Sequence, residues 1–224
     1  MAIPDELFTF LAELKDNNDR EWFQANKARY EEQVKAPLLS FIGGFDERLA
    51  RLSAHYVADA RPVGGSLFRI YRDVRFSKDK SPYKTAAGIH FRHERGKDAH
   101  APGYYLNLEP SDCFAACGLW MPASAQAQQI RAAIDGDQAG WRDAKDAAEA
   151  GGLAIRGSSL KRPPRGYDAD HPLIDDLKRK DFYVSAELDP ESVTADDFPA
   201  RLEALWTHPT PFMRFVTGAL ALPF

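Results

Sequence analysis

The spacing of apolar residues changes twice along the chain, and that switch constrains the fold more than any other feature. A helical period gives way to a strand period near residue 66 and returns after Pro122. In the first third, Leu7, Phe8, Leu11 and Leu14 recur on one helix face and stop at Asp16, Asn17 and Asn18, which favour a turn. Asp19 is placed to cap a second helix carrying Trp22, Phe23, Tyr30 and Val34. Pro37 interrupts that helix and suits the first turn of a third, whose stripe is Leu38, Phe41, Ile42, Phe45, Leu49 and Leu52. Gly43 and Gly44 weaken this third helix by roughly 1 kcal/mol each relative to alanine, so a close contact or a bend is expected there.

Four segments then read as strands: residues 66–73, 86–93, 103–109 and 113–120. In the third, Tyr104, Leu106 and Leu108 alternate with Tyr105, Asn107 and Glu109, as in a sheet with one covered face. The fourth is apolar throughout and is expected at the centre, and the short links favour an antiparallel meander. Beyond Pro122, Ser124 caps a helix holding Ile130 and Ile134, and Trp141 anchors another that Gly151 and Gly152 close. A proline-rich, basic loop over 160–172 precedes a short helix near 174–180 and an edge strand at 182–188. Thr194 and Asp197 resemble a capping box for a helix burying Phe198, Leu202, Leu205 and Trp206. A last helix from Pro211 buries Phe212, Phe215 and Val216. The expected fold is α+β: a mainly antiparallel sheet of about four to five strands packed with N-terminal and C-terminal helices, over residues 1–224 as one domain.

Residues 1–10 carry Asp5 and Glu6 instead of a basic region followed by an apolar run, so a secretory signal is not expected. No apolar stretch is long enough to span a bilayer. The two cysteines, Cys113 and Cys117, would stand roughly 13 Å apart on one strand, too far for a disulfide, and a reduced, cytoplasmic setting is expected.

The net charge of −4 argues against a protein that coats nucleic acid, yet the charges are segregated. Residues 61–98 hold 10 basic and 4 acidic side chains, and residues 168–203 hold 11 acidic and 4 basic ones. Either the first segment offers a cationic face to a negative ligand, or the two segments pair with each other. The density peaks over 69–84, where Arg69, Arg72, Arg75, Lys78, Lys80 and Lys84 are interleaved with Tyr71, Phe76 and Tyr83. On a regular strand Phe68, Ile70, Arg72, Val74 and Phe76 share a face, which leaves Arg72 among apolar neighbours and in need of a carboxylate or a bound anion.

Guanidinium groups bind phosphate or carboxylate bidentately, so Arg69, Arg72 and Arg75 are the expected anion clamp. Lys78, Lys80 and Lys84 would steer and cover the ligand, and Arg162 of the second basic loop, 161–165, would close over it. Asp73 and Tyr83 are the nearby groups able to handle a proton. The bland counterpart is an internal ion pair of Arg72 beneath a solvated lysine turn, with 161–165 serving as a rigid connector or proline-motif docking site.

His90 and His93 point to opposite faces of a strand, so with His100 and Glu94 they offer no metal-ligand spacing. His171 beside Asp170 suits a helix entry. Glycine-rich phosphate loops, nucleophile elbows and dinucleotide fingerprints do not occur, and no cofactor is expected.

Several runs of residues resemble one family. They are Phe10-Leu11, Leu14, Asn17-Asn18, Glu21-Trp22-Phe23, Lys27 and Tyr30; the block from Arg72 through Asp73-Val74-Arg75-Phe76 to Lys84; Pro102-Gly103-Tyr104-Tyr105; Gly118-Leu119-Trp120 with Pro122; and Leu160-Lys161-Arg162, Pro164, Gly166-Tyr167 and His171-Pro172. Together they resemble the conserved hypothetical proteins grouped as domain of unknown function 2461, over nearly the whole chain. Where that family carries a glycine run, this chain has Ala116-Cys117-Gly118, which weighs against a close backbone approach at Cys117. The resemblance implies one domain and carries no activity with it.

The reading from the residues is therefore a domain that binds a phosphorylated or otherwise anionic small molecule. The alternatives are single-stranded nucleic-acid binding, with Tyr71, Phe76 and Tyr83 stacking on bases, and a non-enzymatic protein-interaction module using 161–165 or the C-terminal helices.

Overall fold

The computed structural model describes residues 2–96 and 100–224. Lys97 and Asp98, the end of the basic segment counted above, lie outside the described residues. The chain opens with helices α1 (Asp5–Asp16) and α2 (Arg20–Ala25), and Asp19 caps the second by accepting the Trp22 amide at 2.9 Å. Pro37 falls in the first turn of the helix Ala36–Leu52, as expected, but the helical run before it is not interrupted there. A short α3 (Lys27–Arg29) runs through a π-helical turn at Tyr30–Lys35 into α4 (Ala36–Leu52). Proline brings no N–H and crowds the carbonyl four residues back, and the wider turn relieves this as the Ala36 amide reaches back to the Glu31 carbonyl. Gly43 and Gly44 sit on the exposed side of α4, and a Cβ at Gly43 would meet Ala60 only at an ordinary 3.8 Å.

The sheet is wholly antiparallel and has six strands, one more than expected. They are β1 (Tyr56–Val57), β2 (Ala87–His93), β3 (Gly103–Leu108), β4 (Phe114–Leu119), β5 (Ala154–Arg156) and β6 (Phe182–Glu187), in the order β1-β2-β3-β4-β6-β5. The central position foreseen for β4 is observed. The expected edge strand β6 is an inner strand instead, because β5 covers its outer side through Ile155 opposite Val184. Residues 66–73 do not form a strand. Leu67 makes one bridge to Ile89 and Tyr71 one to Tyr83, and between them the chain leaves the sheet, because β1 takes part of the same edge of β2 at Arg92 and His93.

Between the strands run α5 (Ser124–Gly136), α6 (Gln138–Ala150) and α7 (Ile174–Leu177), followed by α8 (Pro190–Thr194), α9 (Phe198–Thr207) and α10 (Thr210–Ala219). Two expected caps move. Ala123, not Ser124, precedes α5, and its amide donates to the Gln126 side chain at 2.9 Å. Thr194 closes α8, its hydroxyl donating to the Glu191 carbonyl, while Asp189 caps that helix.

The helices pack on one face of the sheet. Ile89, Phe91, Tyr104, Leu106, Leu119, Phe182 and Val184 are sealed there. Phe45 of α4 stacks on Phe91 at 5.4 Å, and Trp206 of α9 meets the Phe45 and Phe91 rings edge-on at 5.7 and 5.9 Å. Full burial of such side chains contributes about 1.5–3 kcal/mol each, so this face holds the layers together. Among the described residues no helix is long and apolar enough to cross a membrane.

Candidate functional site

Because side chains alternate along strands, the residues between those of the core share the opposite face. They are Gly88 and His90 of β2, Gly103, Tyr105 and Asn107 of β3, Phe114, Ala116 and Gly118 of β4, and Tyr183 of β6, and they line a hollow of about 880 Å³. Small residues keep this floor low. The Tyr105 ring lies across Gly88, where an added Cβ would stand 2.7 Å from its hydroxyl. His90 lies across Gly103, where a Cβ would stand 2.2 Å from Nε2. Gly118 faces Gly103 in register and has φ +129°, with the Phe182 carbonyl 2.3 Å from a Cβ position, so only glycine fits there without strain. The close backbone approach thus falls at Gly118, next to Cys117.

The rim comes from three directions. Trp120 stands half-exposed after β4, in a turn fixed by Asp181, whose carboxylate accepts the Met121 amide and the Ser158 amide at 2.9 Å each. Lys15 and Asn18 reach in from the end of α1. The third wall is the excursion 70–84, rooted by buried Ile70 and Tyr83. Asn18 pairs with both backbone groups of Tyr83, donating to its carbonyl at 3.0 Å and accepting its amide at 3.1 Å. The Tyr83 ring stacks on Phe23 at 4.0 Å. Two aspartate turns shape the rest of the excursion, Asp73 accepting the Arg75 amide at 3.2 Å and Asp79 accepting the Ser81 amide at 2.9 Å.

Of the nine residues expected to bind a ligand, the structure brings Arg72, Tyr83 and Lys84 to the hollow. Arg72 is already paired with Asp79 and donates to the Ser81 carbonyl at 3.3 Å, so the regular-strand placement that left it among apolar neighbours does not hold. Asp73 and Arg75 bind one another away from the hollow, with Nη2 to Oδ2 at 2.7 Å, and hydrogen bonds from Arg75 hold the Asp73 carboxyl down at about 2. Asp73 is thus a fixed anion and a poor base. Lys80 donates to the Val74 carbonyl at 2.9 Å, Lys78 is exposed on the excursion, and Arg69 is exposed beside Lys84.

Tyr83 is packed against Phe23 and its hydroxyl pKa is raised by burial, so it does not give up its proton readily and its ring is not free to stack on a base. Phe76, by contrast, is 96% exposed. Arg162 is exposed and does not line the hollow. Its loop is tied to the α7 side by the Leu160 amide on the Lys178 carbonyl, and none of residues 161–165 lines the hollow. His171 serves as a helix entry, accepting the Leu173 amide at Nδ1 while Nε2 meets Asp135 at 3.0 Å.

Lys84 differs from the other cations. It is half-buried, its ammonium lies 5.2 Å from the centre of the Phe68 ring, and no carboxylate pairs with it among the described residues. Burial first, and the Arg69 guanidinium second, push its pKa below the ordinary lysine value. Lys15, at 3.9 Å from Glu109, is only loosely paired. Among the described residues no ion pair joins the basic segment to the acidic one.

The floor was not foreseen. Gly88, His90, Phe114 and Tyr183 fall in no dense charge or motif, and Gly103, Gly118 and Trp120 appear only as parts of the family-like runs. The available signal was subtler: Gly88, Gly103, Ala116 and Gly118, small residues spread over three adjacent strands in phase with Tyr105 and Asn107. Among the described residues no cluster of three or more His, Cys, Asp or Glu side chains is placed to hold a metal ion.

Comparison with curated proteins and with solved structures finds no match. The model of one family, described as Conserved hypothetical protein (DUF2461), matches residues 6–215. With that span covered and the block from Arg72 to Lys84 framing the hollow, the chain belongs to this family of conserved hypothetical proteins.

Proposed function

We propose that the protein binds a small organic anion on the open face of its sheet, the apolar body lying between Phe68, Phe114 and Trp120 and the negative group meeting Lys84. The observation that carries this reading is Lys84 itself. A half-buried ammonium with a depressed pKa and no carboxylate partner is destabilised by its surroundings, and a bound anion removes that penalty. Arg72, Asp79 and Lys15 add a net charge of +1 at the same rim, which steers anions inward. The hollow's size and its aromatic walls suit an organic acid better than a bare inorganic ion.

Anilinonaphthalene sulfonate, an aromatic anion whose fluorescence rises in apolar sites, is a direct probe. It should bind saturably at one site, more weakly as salt is raised, and Lys84→Gln should weaken it about tenfold, the loss of one charge-assisted hydrogen bond. Because Lys84 has no partner to strand, the same substitution should leave the melting temperature unchanged or higher. Absence of saturable binding, or affinity indifferent to Lys84→Gln, would overturn the reading.

A further inference from the structure

His90 stands on the floor of the hollow, and its two ring nitrogens have different surroundings. The residue is 94% buried, being only 6% exposed. Nδ1 is sealed and has no hydrogen-bond partner. Nε2 lies over Gly103 on the side of the hollow and also has no protein partner among the described residues. The ring is held in place by the Phe68 ring at 6.1 Å and by its cross-strand neighbour Tyr105 at 6.2 Å, edge to face. Burial, with a smaller effect from Arg92, lowers its pKa to about 4, so the imidazole is neutral near pH 7 and carries one proton.

A neutral imidazole has one donor and one acceptor, and a sealed, orphaned N–H is rarer in proteins than a sealed acceptor. The lone pair therefore belongs on Nδ1 and the proton on Nε2, facing the hollow. Gly103 and Gly118 oppose each other without side chains, and Ala101, Trp120 and Tyr183 close the sides.

We infer that His90 donates a hydrogen bond from Nε2 to a neutral acceptor, a carbonyl oxygen, at the end of the ligand opposite its anionic group. This rests on the organic-anion reading and narrows the ligand to a flat, short acid that carries both a carboxylate or similar anion and a carbonyl. Both anchors border the Phe68 ring, the Lys84 ammonium at 5.2 Å and the His90 ring at 6.1 Å from its centre, so a ligand of one aromatic ring is the size proposed to reach both. Tyr105 cannot substitute for His90 here. Its hydroxyl leans the other way, over Gly88, and donates to Asn107 at 3.2 Å, while Asn107 donates to the Asp112 carbonyl at 2.7 Å.

A matched pair of probes separates this assignment from the reading beneath it. Para-acetylbenzoate has a carboxylate and a ketone, and para-ethylbenzoate has the same carboxylate and nearly the same shape without the acceptor. By calorimetry the ketone should bind about fivefold more tightly, the worth of one ordinary hydrogen bond, and His90→Leu should abolish that preference. Nitrogen-15 spectra of the unmodified protein near pH 7 should show His90 as the Nε2–H tautomer, with Nε2 the nitrogen that moves when para-acetylbenzoate is added.

Equal affinity for the two acids, a preference that survives His90→Leu, or an Nδ1–H tautomer would overturn the His90 assignment and leave the organic-anion reading standing. Failure of both acids and of the sulfonate probe to bind would overturn the two together. The tautomer measurement needs no variant, so a misfolded His90→Leu does not shield the inference.

Discussion

Tyr104 and Tyr105 are neighbours on β3 and live in opposite environments. Tyr104 is fully sealed beneath the helices against Trp206, 5.2 Å between ring centres, and its hydroxyl has no partner. Tyr105 lies on the open face, its hydroxyl bonded to Asn107 and its ring flat over Gly88. Under the helices close packing also leaves the indole nitrogens of Trp141 and Trp206 sealed without partners. The open face gives up packing, with Gly88, Gly103, Ala116 and Gly118 where bulk would fill the hollow. One face therefore carries stability and the other leaves room for a ligand, a division that follows from a side-chain period of two.

This contrast can be broken by substitution. Trp206→Ala removes a fully buried side chain from the covered face and should destabilise the protein by about 3–5 kcal/mol in urea denaturation. A loss below about 1 kcal/mol would mean the covered face is not where stability resides.

A smaller effect sharpens the comparison from the open side. His90 has a folded pKa of about 4 against an ordinary value of 6.5, so on acidification the unfolded chain takes up a proton before the folded one does. Stability should fall through that window, by about 2 kcal/mol between about pH 7 and about pH 5, and the loss should flatten below the folded value. The lowered carboxyls of Asp73 and Asp79 titrate lower still and leave this window clear. Denaturation curves at both pH values, with His90→Gln abolishing the difference, would check it.

Much of the covered face was legible in the sequence and little of the open one. Long periodic stripes such as Leu38 to Leu52 and the alternation of Tyr104, Leu106 and Leu108 announce buried surfaces, because burial demands apolar side chains at fixed intervals. β1 and β5, of two and three residues, are too short to show a period, and missing β5 made β6 look like an edge. Residues 68–76 alternate like a strand, yet Ile70 is buried while Phe76 is almost fully exposed, since the aspartate turn at Asp73 and the crowded edge of β2 redirect the chain.

At the hollow, cation density pointed to the segment 69–84, of which Arg72 and Lys84 stand at the rim. It could not tell Lys84, which lacks a partner, from Arg72 and Arg75, which are neutralised by aspartates a few residues away. Nor does it foretell that Arg162 lies on the α7 side. Partnering is set by turn geometry, and a hollow is defined by missing side chains, which leave a faint trace in a sequence.

The most direct test of the central claim is to map where an organic anion touches the protein. Backbone amide spectra recorded while anilinonaphthalene sulfonate is added should show shifts concentrated at Lys84, Gly88, His90, Gly103, Tyr105 and Gly118, with Phe45, Leu202 and Trp206 unmoved. Shifts centred on 161–165 or on the tip around Phe76, or none along the open face, would contradict the account.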